Sequence, residues 1–141
     1  MDSNVAYGED KDSSMSEGRD PCKILYIEDN RDNRILVKRV LQAEGYQVLE
    51  AADGPAGIRV AQEMEPELIL VDISMPDMDG YEVTRRLRAM DRFRDVPIIA
   101  LTAKVMKGDR EKTLEAGCSG YIQKPIDVDL LPVQLAAHLS Q

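Results

Sequence analysis

A chain of 141 residues is long enough for one domain with a buried core. Its net charge of −8, from 26 acidic and 18 basic side chains, excludes the basic footprint that non-specific nucleic-acid binding requires. The hydrophobic content of 43% and the charged content of 31% are ordinary for a globular protein, and no apolar run approaches the roughly 18 residues of a membrane span.

The first 21 residues differ in composition from the rest of the chain. They are rich in Asp, Glu, Ser and Gly and offer little to bury, so we expect residues 1–21 to be a disordered acidic tail and residues 22–141 to be the folded domain. The start also lacks the basic and apolar regions of a secretory signal. Cys22 and Cys118 show no metal-binding spacing and make no disulfide framework, so we expect a reduced, cytoplasmic setting.

Strand and helix patterns then alternate along the chain. Short apolar runs predict five strands, at residues 23–27, 46–51, 68–72, 96–102 and 120–123. Helical spacing predicts five helices, the first ending at about residue 44 and the others at about residues 53–65, 81–90, 107–116 and 127–139. Five strands alternating with five helices predict an α/β fold, a doubly wound five-stranded parallel sheet.

The third strand carries the first candidate for a functional site. Leu68–Val71 is an unbroken apolar run, typical of a strand buried on both faces, and it ends on the carboxylate of Asp72. Ligands of open parallel sheets bind beyond the carboxyl ends of the strands, so Asp72 lies where a site is expected. Taken alone, Asp72 is equally well explained as a residue that hydrogen-bonds the loop after it.

Other strand ends supply matching groups. Glu28 and Asp29 follow the first strand, Thr102 ends the fourth, and Lys124 follows the fifth. Because these ends lie near one another in a doubly wound sheet, we expect their side chains to converge on one cleft. Carboxylates without His or Cys favour a hard cation, Mg²⁺. A cation, an ammonium group and a hydroxyl together neutralise the oxygens of a phosphoryl group.

The reaction that this set of groups favours is phosphoryl transfer to a carboxylate. Asp72 is the expected acceptor because it ends the most buried strand and is therefore the most rigidly placed. The chain has no GxxxxGK[ST] phosphate-binding loop, so the phosphoryl group is expected to come from a partner or a small phosphodonor rather than from bound ATP.

Four motifs carry a resemblance to a known family. The sequences IEDN (27–30), VDISMPDMDG (71–80), ALTA (100–103) and YIQKPI (121–126) resemble the receiver domain of two-component response regulators, in the CheY-like superfamily. The resemblance covers nearly the whole chain outside the tail and is greatest to stand-alone DivK-like receivers and to the receivers of hybrid kinases. It implies a flavodoxin-like (βα)₅ fold with strand order 2-1-3-4-5.

The resemblance also implies a role for each residue of the cleft. Asp72 would accept phosphate from a phosphohistidine on a sensor kinase or phosphotransfer protein, and Lys124 would pair with the phosphoryl oxygens. Mg²⁺ would be bound by Asp29 directly, by Glu28 through a water, by Asp72, and by the main-chain carbonyl of Ser74. The pair Glu28–Asp29 departs from the commoner Asp–Asp pair by one longer side chain.

Switching and partner binding are implied as well. Thr102 would move its hydroxyl to the phosphoryl group and Tyr121 would rotate inward, which would reshape the face that a downstream protein reads. The bond between Lys124 and Pro125 is often cis in the family. We further expect Val37, with Pro125 and Ile126, to form an apolar patch that meets a phosphotransfer helix bundle.

The resemblance predicts a phosphoacceptor rather than an enzyme with an external substrate, although such domains catalyse their own phosphorylation and slow autodephosphorylation. No output domain is expected after the fifth helix, so we expect output through protein contacts and not through DNA or a membrane. Two alternatives are a phosphatase with an aspartate nucleophile and a non-phosphorylated adaptor. The phosphatase reading is weakened by Ser74, which stands where such enzymes usually carry a second acid.

Overall fold

The structure is a computed structural model that describes residues 21–103 and 107–139. The predicted tail, residues 1–21, lies outside the described residues except for Pro21. Strands and helices alternate. The strands are β1 Lys23–Ile27, β2 Gln47–Ala51, β3 Leu68–Asp72, β4 Ile98–Thr102 and β5 Gly120–Gln123. The helices are α1 Arg31–Ala43, α2 Gly54–Met64, α3 Gly80–Arg88, α4 Lys107–Ala116 and α5 Leu131–Leu139.

The five strands form one parallel sheet in the order β2-β1-β3-β4-β5, as predicted. The order reverses at β1, which pairs with β2 on one side and β3 on the other. Crevices at such a reversal are where open α/β sheets bind ligands. The acids after β1 and at the end of β3 therefore lie at the position that this topology favours for a site.

Alternate side chains of the central strands pack into two separate layers. On one face, Ile24 and Leu70 pack with side chains of α1 and α5. On the other face, Leu25 and Val71 pack with side chains of α2 and α3. All five residues of β3 are buried, which explains the unbroken apolar run in the sequence. The rigid sheet thus holds Asp72 at the end of its most enclosed strand.

Helix starts follow the capping residues in the sequence. The side chains of Asn30, Asp53 and Asp79 accept hydrogen bonds from main-chain N–H groups at the starts of α1, α2 and α3. At the other end, α1 and α4 stop before glycines with positive φ, Gly45 at 94° and Gly117 at 102°. The caps thus end the loops that follow β1, β2 and β3, and the glycines begin the segments that lead into β2 and β5.

Element boundaries are where the prediction was wrong. Helix α5 begins at Leu131 rather than at Asp127, because the Asp127 carboxylate accepts the N–H groups of Asp129 and Leu130 in a turn of its own. Helix α3 ends at Arg88, and a single turn of 3₁₀-helix, Asp91–Phe93, follows it unpredicted.

Arg88 connects three segments at the end of the sheet opposite the acids. Its guanidinium group donates hydrogen bonds to the carbonyl oxygens of Val96 (2.7 Å) and Gly117 (2.8 Å) and to Ser119 Oγ (3.1 Å). The last turn of α3 is therefore tied to the segments that lead into β4 and β5.

Candidate functional site

Three carboxylates meet at the carboxyl end of the sheet. Glu28, Asp29 and Asp72 each offer an oxygen atom within 4.8 Å of the others. Glu28 and Asp72 are almost fully buried, with exposed fractions of 1% and 3%, whereas Asp29 is exposed. The convergence predicted from the strand ends is therefore present, and one side of the cluster is open to solvent.

Lys124 provides a positive charge to the two buried acids. Its Nζ lies 3.0 Å from Asp72 Oδ1 and 3.4 Å from Glu28 Oε1. Burial alone would lower the pKa of Lys124, but its contacts with Asp72 and Glu28 outweigh burial and raise the pKa. Lys124 therefore stays protonated and holds one oxygen of Asp72.

The cluster carries more negative charge than Lys124 neutralises. Burial is the main cause that raises the pKa of Glu28. A hydrogen bond with the neighbouring Asp72 carboxylate and the negative charge of Asp72 raise it further. A hard divalent cation fits these three side chains, because they offer only oxygen ligands. Their negative charges repel one another, and a bound cation would offset that repulsion.

The main chain near Asp72 and the side chain of Arg34 orient the acids. Ser74 N–H donates to Asp72 Oδ1 at 3.1 Å, so the start of the β3–α3 loop fixes the same oxygen that Lys124 contacts. Arg34 Nη1 donates to the carbonyl oxygen of Glu28 at 2.6 Å. The role of the Ser74 carbonyl oxygen as a metal ligand stays a prediction.

Tyr26 is a contact that sequence reasoning missed. Its hydroxyl donates a 3.0 Å hydrogen bond to Glu28 Oε1 from within the layer between the sheet and α1. Burial and the charge of Glu28 raise the pKa of Tyr26 far above its usual value, so the phenol remains a donor. The signal in the sequence was a tyrosine among the aliphatic residues of β1, two positions before Glu28 and hence on the same face.

The two predicted switch residues occupy different surroundings. Thr102 is buried at the end of β4, the strand beside β3, and its carbonyl oxygen accepts the Lys124 N–H at 2.8 Å. Tyr121 is half-buried on β5, where the guanidinium carbon of Arg110 lies 5.7 Å from its ring centroid. Tyr121 is thus directed towards α4 rather than gathered with the acids.

A groove of about 410 Å³ lies beside Lys124, between α1 and the segment after β5. Its apolar lining includes Leu36, Pro125 and Ile126, and the bond before Pro125 is cis. Val37 lines this groove together with Pro125 and Ile126, as predicted, although its own side chain is fully buried. Leu36, which is 45% exposed, adds the solvent-facing apolar surface of α1, and the meeting of this patch with a phosphotransfer helix bundle stays a prediction.

Comparisons with known proteins give a consistent result. The family model described as the response regulator receiver domain matches residues 24–136. The polar-differentiation response regulator DivK of Brucella anthropi is 41% identical over 108 residues, which are 77% of this chain and 88% of DivK.

No helix among the described residues is long and apolar enough to cross a membrane.

Two solved structures share the fold at sequence identities of 38% and 29%. The receiver domain of a sensor histidine kinase from Pseudomonas aeruginosa, with a magnesium ion coordinated in its active-site cleft, superposes with a TM-score of 0.80 at 38% identity, covering 86% of this chain and all of that one (100%). The chemotaxis protein CheY4 of Vibrio cholerae gives a TM-score of 0.81 at 29% identity, covering 84% and 98% of the two chains.

Proposed function

The chain belongs to the response regulator receiver domains, which have a phosphoacceptor role in two-component signalling, and on this premise we propose that Asp72 is its phosphoacceptor. The observation that carries the proposal is the position of Asp72. It is a nearly buried carboxylate at the end of β3, with one oxygen held by Lys124 at 3.0 Å and by Ser74 N–H at 3.1 Å.

The donor is a phosphohistidine on a histidine kinase or a phosphotransfer protein. A carboxylate oxygen of Asp72 attacks phosphorus, an O–P bond forms as the P–N bond breaks, and the imidazole leaves with the electron pair and takes up a proton. Lys124 is close enough to Asp72 to pair with the negative charge on the new phosphoryl oxygens. Holding the acceptor in one orientation lowers the entropic part of the barrier.

Mg²⁺ fits the site, with Glu28, Asp29, Asp72 and the carbonyl oxygen of Ser74 as the residues that would hold it. When bound, the ion supplies positive charge that offsets the repulsion between the acids and the incoming phosphoryl group. Asp29 is the exposed member and leaves the cluster accessible from solvent. Glu28, fixed by its hydrogen bonds, gives the cluster its rigid side.

We propose that Thr102 and Tyr121 transmit the phosphorylation of Asp72 to the surface that a downstream protein contacts. Thr102 moves its hydroxyl towards the phosphoryl group and Tyr121 turns inward from its place beside Arg110, which changes the face that a downstream protein contacts. The groove beside Lys124, with Leu36, Pro125 and Ile126, receives the kinase or phosphotransfer partner. We further propose a cytoplasmic setting and slow autodephosphorylation.

Incubation with Mg²⁺ and acetyl phosphate tests the proposal. Intact mass is expected to show one added phosphoryl group, which is absent in Asp72→Asn and present in the matched control Asp77→Asn, an exposed loop acid outside the carboxylate cluster. An unchanged mass in the wild type contradicts the proposal. Steady turnover of a phosphomonoester would instead indicate the phosphatase, and neither activity would indicate the adaptor.

A further inference from the structure

Tyr26 is an unusual residue for the interior of this sheet. It is fully buried, and the other buried residues of its layer are all aliphatic. A phenol hydroxyl in such a layer needs a hydrogen-bond partner, because an unsatisfied buried donor is costly. Among the described residues, that partner is Glu28 Oε1 at 3.0 Å.

The Glu28 carboxylate is held through both of its oxygens. Oε1 also lies 3.5 Å from Asn33 Nδ2 and 3.4 Å from Lys124 Nζ, while Oε2 accepts the Asn30 N–H at 3.2 Å. The contact with Tyr26 is the shortest of the four and comes from the most deeply buried donor. Tyr26 therefore fixes the position of Oε1 from inside the core.

The length of the Glu28 side chain matters for this contact. Aspartate is shorter by one methylene, about 1.5 Å of carbon–carbon bond. Retracting Oε1 by that amount would lengthen a 3.0 Å hydrogen bond beyond the range in which it still holds. Aspartate at position 28 would leave the Tyr26 hydroxyl buried without an acceptor and would leave its own carboxylate without the inner donor.

We propose that Tyr26 is a positioning residue for the metal site and that Tyr26 and Glu28 are a matched pair, so that Tyr26 makes position 28 selective for glutamate over aspartate. The inference rests on the proposed function, since it assigns Glu28 to cation binding. Outer hydrogen-bond partners of metal ligands typically change metal affinity 10- to 100-fold when they are removed. Tyr26 acts here through Glu28 and does not itself touch the cation.

A double-mutant cycle tests the pair. The Mg²⁺ dissociation constant is measured by calorimetry for the wild type, Tyr26→Phe, Glu28→Asp and the double variant, with thermal unfolding recorded in parallel. Each single substitution is expected to weaken Mg²⁺ binding about tenfold, and the double variant also about tenfold rather than about a hundredfold. Tyr46→Phe, a half-buried tyrosine before β2, is the matched control and should bind as the wild type does.

The outcomes separate the two proposals. Tyr26→Phe within about twofold of the wild type in Mg²⁺ affinity, or a double variant weakened about a hundredfold, overturns the matched pair, even if thermal stability falls. A merely structural Tyr26 would change the unfolding temperature alone. A wild type that binds Mg²⁺ with this coupling, yet gains no mass from acetyl phosphate, would overturn the phosphoacceptor assignment and leave the pair standing.

Discussion

Replacing Asp29 with asparagine should have opposite consequences with and without Mg²⁺. Asp29 is the exposed acid of the cluster, and an oxygen atom of each buried acid, Glu28 and Asp72, lies within 4.8 Å of its carboxylate. In the absence of a cation, these contacts are repulsive. Asp29→Asn removes both repulsive contacts while keeping the size of the side chain. The substitution is therefore expected to stabilise the metal-free protein.

The magnitude follows from the distance. Two like charges at 4.8 Å repel by about 0.9 kcal/mol at the dielectric constant of water, and an exposed carboxylate lies near that limit. Two such contacts give about 1.7 kcal/mol, which salt reduces further. For a domain of this size, a gain of about 1 kcal/mol corresponds to an increase of roughly 3–6 °C in the unfolding temperature.

The assay is thermal unfolding followed by circular dichroism, in buffer with EDTA and again with Mg²⁺. The wild type should gain about 2.7 kcal/mol when Mg²⁺ is at 100 times its dissociation constant. Asp29→Asn should start at a higher unfolding temperature in EDTA and gain almost nothing from Mg²⁺. The control Asp77→Asn, an exposed acid outside the cluster, should follow the wild type in both buffers.

Two results would refute this reasoning. An Asp29→Asn protein that is less stable than the wild type in EDTA would show that the acids do not repel one another as the distances require. An unchanged response to Mg²⁺ would show that Asp29 is not part of the cation site.

Three further predictions concern the stability of the fold and the thiol of Cys22. Leu70→Ala, at a fully buried position of β3, should lower the free energy of unfolding by about 2–5 kcal/mol in urea titration; a loss below about 1 kcal/mol would contradict the packing. Gly57→Ala should destabilise α2 by about 1–3 kcal/mol, because its Cβ would overlap the buried Ile27 side chain, whereas Gly108→Ala meets nothing within 4 Å and should be neutral or stabilising. Burial and then the charge of Glu67 raise the pKa of Cys22 to about 11, so its alkylation rate, followed by peptide mapping, should still be rising at pH 10; a midpoint near pH 8.5, the value of a free thiol, would be inconsistent with this environment.

Periodicity was enough to predict the order and type of the main elements. Residues Leu68–Val71 of β3 are all apolar because helices cover both faces of the sheet, and that pattern is local in sequence. The start of α5 was misplaced because a side chain, Asp127, competes with the helix for main-chain N–H groups. Such competition depends on rotamers, which hydrophobic spacing does not encode.

The site shows the same division. Glu28, Asp72 and Lys124 were found because parallel strands bring their carboxyl ends to one edge, so topology alone gathers them. Tyr26 was missed because its role depends on how far one side chain reaches along the strand. Val37 was placed in the groove with Pro125 and Ile126, but the exposed side chain of Leu36 was not, because it depends on the rotation of α1 about its axis, which the apolar pattern left undetermined.

The guanidinium group of Arg88 should make the unfolding of this end of the sheet cooperative. A lysine there could offer one nitrogen where Arg88 uses three to reach Val96, Gly117 and Ser119. Because one guanidinium group binds acceptors in both the segment before β4 and the segment before β5, the opening of either segment removes a hydrogen bond from Arg88. The base of the sheet should therefore exchange its amide hydrogens as one cooperative unit.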